Sequence, residues 1–409
     1  MFFAIVSLTR SVLGTPSALF SLGPESQALG KTGVTGVADF GAVVLNPAGL
    51  SLSGERALWL GYSAARFTPK LEGYTGEPPP QPAFAGAALG LKFPITRAGD
   101  VPALTLGLAF TSPGDVIVRA HVPPPETPQF PWLSSRAHAL DLGLGLGARL
   151  SEDWFLGVGV RGLAGLAGAV SVQGNAGVEN ETELGLRLAP VIGTILRVAA
   201  VGRLGFVYRG ALAAPFTVEV GARDLPGVML PPLHVDGVAH YDPAELALEW
   251  ARELGATHVA VGLAYKRWSA FEGWLGQSVT CPKEAESCAA LPKERVELSD
   301  TLSPRLGVAH ALDLGRAELL LRAGYAFEPS PLPEQTGSAN RWDNTASVIT
   351  LGYGARLTST PLSFALAYQL HVLHARAHEK RDPEAAPELT RVKVSGSAQF
   401  LGVSMGVTY

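Results

Sequence analysis

From Arg56 to the last residue the chain repeats one pattern, in which apolar side chains alternate with small or polar ones and almost no helical periodicity appears. In "FLGVSMGVTY", Leu401, Val403, Met405 and Val407 share one face of an extended strand. Gly402, Ser404, Gly406 and Thr408 share the other, because successive strand residues point to opposite sides. "SVITLGYGARL" repeats the dyad, with Ile349, Leu351, Tyr353, Ala355 and Leu357 opposite Thr350, Gly352, Gly354 and Arg356. "AELLLRAGYAF" sets Leu319, Leu321, Ala323, Tyr325 and Phe327 against Glu318, Arg322 and Gly324. The polar face of a soluble sandwich is rich in Lys, Glu and Thr. Here it is mostly glycine and serine with an occasional charge, which suits a tightly filled interior.

About fourteen such segments follow one another, near 56–68, 83–95, 103–112, 136–150, 154–169, 182–197, 202–219, 243–254, 256–270, 304–313, 316–327, 345–358, 361–376 and 391–409. Their connections alternate between short ones ("SEDW", "LGAT", "DLGR", "TSTP") and long ones (113–135, 220–242, 271–303, 328–344). An even strand number, tight turns at one end and longer loops at the other predict an all-β fold, a transmembrane antiparallel barrel occupying residues 51–409. Closure also removes the unpaired edges of an open sheet.

Composition agrees with a barrel. Charged residues make up 17% of the chain against about 25% in ordinary soluble domains, and 47 of 409 residues are glycine. The apolarity is spread thinly, with no run near the ~18 residues of a membrane helix. The longest helix candidate, "APVIGTILRVAAVG" at 189–202, is too short and carries Arg197 in its middle. A net charge of −4 leaves no basic footprint, so no nucleic-acid partner is expected. Cys281 and Cys288 are the only cysteines. A metal site would need further ligands nearby, so a local disulfide is the expectation. Residues 1–18 read as an atypical signal segment: the apolar stretch and small residues fit, but a charged start is missing and Arg10 falls late.

Ahead of the first strand, "ADFGAVVLNPAGLS" at 38–51 contains a stiff turn. Pro47 fixes its own φ, biases Asn46 toward extended geometry and withholds a backbone donor, so the segment is neither strand nor helix interior. Together with "LAYKRWSAFEG", "LRAGYAFEPSPLPEQT" and the closing strand, "ALGKTGVTGVADFGAVVLNPAGLS" resembles the FadL family of outer-membrane hydrophobic-compound transporters over positions ~19 to 409. The resemblance implies that residues 19–50 form a hatch inside the barrel, with Asn46, Pro47 and Ala48 at its gate turn. It also implies passive uptake of hydrophobic compounds, long-chain fatty acids foremost, with sideways exit near the third strand. Uptake of neutral aromatic hydrocarbons, or a non-transport secretion-associated role, are the alternatives. Other expectations are a monomer in the outer membrane among lipid and lipopolysaccharide, with no cofactor. Two departures bear on this: the segment "SVQGNAGVENE" is too short for the family's usual third-loop insert, and Ser299-Asp300 stand where some members place a basic residue.

Arg209, Arg322 and Arg356 fall on the inferred lumen face and are candidates to meet a substrate carboxylate; pairing with Asp141 or Glu318 is the competing reading. The proline-stiffened loops at 112–133 and 225–235 offer Phe130, Trp132, Leu133, Val228, Met229 and Leu230 as an external capture patch. Other signals carry no chemistry. "GKTG" at 30–33 lacks the glycine five positions upstream that a phosphate loop requires, Glu25 standing there. "GLGLGAR" and "GVGVRG" lie within alternating strands. His371 and His374 point to opposite faces of a strand, so no metal site is expected there. No Ser-His-acid set has supporting context, and the chain is not expected to be an enzyme.

Overall fold

A computed structural model describes residues 16–74, 83–98, 101–114, 128–130, 140–173, 177–223, 233–272, 277–280, 295, 297–337, 339–380 and 391–409. Its first strands are β1 (Ala57–Glu72), β2 (Ala83–Ala98), β3 (Val101–Pro113), β4 (Asp141–Arg149), β5 (Trp154–Gln173), β6 (Gly177–Val198) and β7 (Gly202–Arg209). After them come β8 (Leu212–Arg223), β9 (Leu233–Asp242), β10 (Ala244–Leu254), β11 (Thr257–Arg267) and β12 (Gln277–Thr280). The chain closes with β13 (Thr301–Asp313), β14 (Ala317–Glu328), β15 (Ala346–Leu357), β16 (Leu362–Glu379) and β17 (Arg391–Thr408). The last strand pairs with the first, from Ala57↔Thr408 to Glu72↔Lys393, so the wall closes on itself.

Fourteen strands make that wall, all antiparallel; β8, β9 and β12 leave it. A single strand was expected over 202–219, but the chain parts from the wall at Gly210. Pro190 opposite has no N–H to continue the ladder, so the Gly210 amide makes the last bond of the pair, to the Pro190 carbonyl at 2.8 Å, and none returns from Pro190. From Leu166↔Phe216 to Gln173↔Arg223, β8 then runs parallel to the upper part of β5. It pairs on its other side with β9, which also holds β12. Pro243 separates β9 from β10, and β10 resumes the wall against β7. Thus β9 and β12 fall in stretches that the sequence pattern assigns to long loops.

The alternation sorts the two faces as expected. On β15, Ile349, Leu351 and Tyr353 are exposed toward the surroundings, whereas Val348 and Thr350 are buried. Along β17, Leu401, Val403 and Met405 are exposed while Ala398 and Phe400 are buried. So broad an exposed apolar belt is disfavoured in water and favoured in a hydrocarbon layer. Among the described residues no helix is long and apolar enough to span a membrane.

Inside the wall lies the segment from Pro16 to Leu52, made of α1 (Pro16–Phe20), α2 (Pro24–Ala28), α3 (Ala42–Leu45) and a 3-10 helix at Pro47–Leu52. Its apolar side chains supply the main core: Leu22, Val37, Phe40, Val43, Leu45 and Leu50 pack with Trp59 and Ala109 of the wall. Burying each large one stabilises the seated segment by roughly 1.5–3 kcal/mol. A second cluster nearer the long-loop end joins Phe20 to Phe67, Phe130, Trp342, Leu373 and Phe400.

The face assignment is open to a direct test on neighbouring residues. Leu351 is 56% exposed on the outward face, and Leu351→Arg is expected to cost about 2–4 kcal/mol of barrel stability in lipid. At Gly352 a Cβ would instead overlap the Leu366 carbonyl and press on Ala28 of the inner segment. Arg there is expected to unseat that segment. Folding titrations in lipid vesicles that find the two variants equally tolerated would place the register wrongly.

Candidate functional site

The inner segment is held by contacts that need its backbone against the wall. A Cβ on Gly157 would overlap the Ala48 amide, one on Gly193 the Asn46 side chain, and one on Gly205 the Val34 carbonyl. Only a missing side chain permits such approach, which is why the lumen face alternates with glycine. The segment is therefore a plug, moulded to the wall.

Asn46 is fully buried at the centre of this fit. Its side-chain oxygen accepts from the Ala48 amide at 3.2 Å, capping the 3-10 helix that begins at Pro47. Its Nδ2 donates to the Val34 carbonyl at 2.7 Å and to Thr194 in the wall at 3.2 Å. The Asn-Pro-Ala turn thus links the plug to itself and to β6.

Three wall residues that the sequence reading did not single out complete the attachment. Glu249 of β10 is buried and accepts from the amides of Gly33 (2.8 Å) and Thr35 (2.9 Å) and from the Thr35 hydroxyl (2.6 Å). Thr350 accepts from the Gly30 amide at 2.9 Å and donates to the Ala28 carbonyl at 2.8 Å. Gln369 donates to the carbonyls of Phe20 and Gln27 at 2.8 and 2.9 Å. A Glu within the otherwise apolar run "LALEWA" was the available signal for the first.

On the long-loop side of the plug lie two small cavities. One, of about 70 Å3, is bounded by Leu19, Leu22, Leu45 and Trp268 and by the cations Lys31, Arg161, Arg209, Lys266 and Arg305. The other, of about 80 Å3, shares Leu19, Lys31, Lys266 and Trp268 and adds Glu328, His371 and Leu373. The cations are matched by carboxylates. Glu245 pairs with Arg209 at 2.9 Å and Arg305 at 3.2 Å. Glu328 pairs with Lys31 and Lys266, each at 2.6 Å. Arg161 sits between Asp141 and Asp242. Burial pushes the Lys31 ammonium down to about 8, against the pull of Glu328. Arg209 and Arg305 each keep a buried Nε–H with no partner among the described residues.

A third cavity, of about 150 Å3, lies at the short-turn end and is lined by Glu25 and Asp39 of the plug with Trp59, Lys92, Arg322 and Arg356 of the wall. The three candidate arginines are consequently not one site. Arg209 borders the long-loop cavity and also donates to the plug carbonyl of Leu45 at 3.2 Å. Arg322 and Arg356 border the opposite one. Nor do they pair with Asp141 or Glu318: Arg209 takes Glu245, Arg322 lies 4.0 Å from Glu25, and Arg356 takes Glu55. Asp141 belongs to Arg161, a residue the dyad count passed over.

Phe130 does not stand at the surface as expected. It is buried, its ring set edge-on to Trp342 at 6.0 Å, because the Trp342 amide bonds the Gln129 carbonyl and draws the two loops together. Trp132, Met229, Cys281 and Cys288 lie outside the described residues. His371 bonds Gln369 inside the barrel, and His374 bonds Ser347 away from it.

A closed fourteen-strand barrel with an apolar outer belt and a lumen stopped by its own N-terminal segment defines an outer-membrane transport protein. The chain belongs to the family described as outer membrane protein transport protein (OMPP1/FadL/TodX), whose model matches residues 137–409. It is similar in fold to a Pseudomonas aeruginosa FadL homologue, with 16% identity, a TM-score of 0.61, and 98% of this chain and 99% of that one covered. A TodX monoaromatic hydrocarbon channel carrying the deltaS2S3 mutation gives 16%, 0.62, 95% and 99%. The Pseudomonas putida toluene transporter TodX gives 14%, 0.57, 95% and 98%. No curated protein matches the sequence. The protein is a passive transporter of hydrophobic compounds and not an enzyme.

Removing Glu249 separates plug attachment from barrel folding. Glu249→Ala leaves three buried donors without an acceptor, at about 1–3 kcal/mol each. It is expected to raise ion leakage through the barrel in planar bilayers while the wall stays folded, and wild-type conductance in this variant would mean that Glu249 does not hold the plug.

Proposed function

We propose that the protein carries long-chain fatty acids inward, with the plug as gate and the Asn46-Pro47-Ala48 turn as its anchor. The observation that supports this reading is the pairing of apolar and cationic surfaces in the long-loop cavities. Leu19, Leu45 and Trp268 offer a surface for an acyl chain, and Arg209, Lys266 and Arg305 stand beside it with N–H donors suited to a carboxylate. Arg209, with its spare Nε–H, is the member of the three sequence candidates proposed to receive the head group.

Each of these cavities is about half the ~150 Å3 that holds a benzene ring in an engineered protein core. Passage therefore requires the first plug residues, Ser17 to Leu22, to move. Sideways exit near β3 is the proposed way out. A cavity of about 30 Å3 already separates Leu22 and Phe40 of the plug from Gly61, Ala88 and Thr111 of the wall. The β2–β3 ladder, although paired from Gly86↔Pro113 to Ala98↔Val101, shifts register beside Pro94. On the outside, Trp132 and Met229 are proposed to form a capture patch leading to the buried aromatic cluster of Phe130, Trp342 and Phe20. The protein works as a monomer set among outer-membrane lipid and lipopolysaccharide in this reading.

The substrate class is decided by binding to the purified protein. Arg209→Gln or Lys266→Met is expected to weaken binding of a fluorescent long-chain fatty acid about tenfold, the equivalent of ~1.4 kcal/mol, and to leave toluene uptake unchanged. Equal fatty-acid binding by variant and wild type, with neutral aromatics recovered from the lumen by mass spectrometry, would favour the hydrocarbon reading instead.

The capture patch has its own test. Changing Trp132 and Met229 together to Ser is expected to slow uptake at low substrate concentration and to leave thermal stability intact, and wild-type uptake kinetics in the double variant would remove those residues from the route.

A further inference from the structure

At the short-turn end the plug is closed by two carboxylates, each bonded to backbone at or next to the other. Asp39 accepts from the Glu25 amide at 3.0 Å and from the Gly41 amide at 2.8 Å. Glu25 in return accepts from the Ala38 amide at 2.7 Å. This clasp ties the start of α2 to the start of α3, across the loop that carries residues 29 to 37 against the wall. Two glycines make room for it: a Cβ on Gly23 would overlap the Asp39 carboxylate, and one on Gly41 would overlap the Leu22 carbonyl and press on the same carboxylate. Gly23, at φ 82, also holds a conformation that L side chains rarely adopt.

The clasp forms one side of the 150 Å3 cavity, and the charges facing it are few enough to name. Arg322 of β14 lies 4.0 Å from Glu25, is buried, and keeps its Nε and Nη1 without partners among the described residues. Glu318, on the same strand, lines the cavity farther along. From the remaining elements come Lys92 of β2, held by Ser53 at 2.5 Å, and the pair formed by Glu55 and Arg356. Two plug carboxylates thus share the influence of one guanidinium that touches neither closely.

We infer that the Asp39–Glu25 clasp is a proton-controlled latch on the plug, closed when Asp39 binds a proton and loosened when it loses it. Protonation removes the repulsion between the two carboxyl groups, and both Asp39 oxygens can still accept their amide bonds. Burial within the barrel and the nearby Glu25 raise the Asp39 carboxyl from 3.8 to about 7, against the opposing pull of the two amides and Arg322. The direction of the pH effect follows from linkage. The seated plug binds a proton that the released segment gives up, so seating is strongest below the ordinary carboxylate range and weakens as pH rises through about 7. The periplasmic side of the barrier is then tighter in acid and looser toward neutral and alkaline pH.

The experiment measures ion conductance of the full-length protein in planar bilayers from pH 5 to 8, so its outcome does not depend on which hydrophobic substrate is carried. Wild-type conductance is expected to rise severalfold with a midpoint near 7. Asp39→Asn is expected to abolish the pH dependence. Glu25→Gln, which keeps the Asp39 bonds and removes the repelling charge, is expected to move the midpoint down by about one unit or more. A flat wild-type profile, a pH dependence that survives in Asp39→Asn, or an unshifted midpoint in Glu25→Gln each overturns the latch, and the last decides the matter if Asp39→Asn leaks at every pH. The inference rests on the plug being the barrier, which Glu249→Ala tests separately. Raised conductance in Glu249→Ala beside a flat wild-type profile overturns the latch alone, and unchanged conductance there overturns the barrier as well.

Discussion

The contact on which the rest of the structure depends is the approach of the plug backbone to the bare backbone of the wall. At Gly157, Gly193, Gly205 and Gly324 no side chain can stand, because the space belongs to Ala48, Asn46, Val34 and Gly30. A wall of fourteen strands encloses more room than its own side chains fill, and a chain of this composition cannot fill it with bulky residues without excluding the plug. Glycine on the inner face and leucine or valine on the outer face are two halves of one solution. The outer half satisfies the lipid, and the inner half leaves the lumen to a separate segment.

That solution creates a hydrogen-bonding problem. Short helices and turns expose more backbone donors and acceptors than a ladder does, and the plug has no neighbouring strand to satisfy them. The wall answers with a small number of polar side chains, each serving several groups: Glu249 takes three donors, Gln369 supplies two carbonyls, and Thr350 does one of each. Asn46 performs the reverse service from the plug outward. A charged acceptor on backbone amides is stronger than a neutral one, so Glu249 carries a disproportionate share of the attachment.

Most of the wall was legible in the sequence because a membrane enforces the period of two more strictly than water does: outward side chains within the hydrocarbon are mostly apolar, so most strands announce their register. Leu351 and Leu401 were placed on the correct face for that reason. What was not legible depended on which strand a segment meets. Nothing local to 212–223 tells that it abandons β6 and runs beside β5, since the ladder it leaves ends at Pro190, on another strand. The same holds for the arginines. All three were read as facing inward; the plug divides the lumen, and its position sets Arg209 beside one cavity and Arg322 and the half-exposed Arg356 beside another. Phe130 was read from a proline-rich surface loop, whereas its burial follows from Trp342, more than two hundred residues away in the chain.

The plug is therefore attached unevenly, and the unevenness has a direction. Its middle, from Gly30 to Ala48, combines glycine-moulded contact with Glu249, Thr350 and Asn46, and every such bond lies deep inside the wall. Its first residues combine apolar and polar holds: Phe20 is stacked on Phe400 at a centroid distance of 4.5 Å and Leu19 borders both long-loop cavities, while Ser17 bonds Asp141 and Arg161 and the Phe20 carbonyl accepts from Gln369. An apolar substrate arriving there can replace the ring and side-chain contacts of Leu19 and Phe20 with its own, whereas it has nothing to offer the amides that Glu249 holds. A greasy molecule thus competes for the apolar share of the plug's attachment and not for its hydrogen-bonded middle.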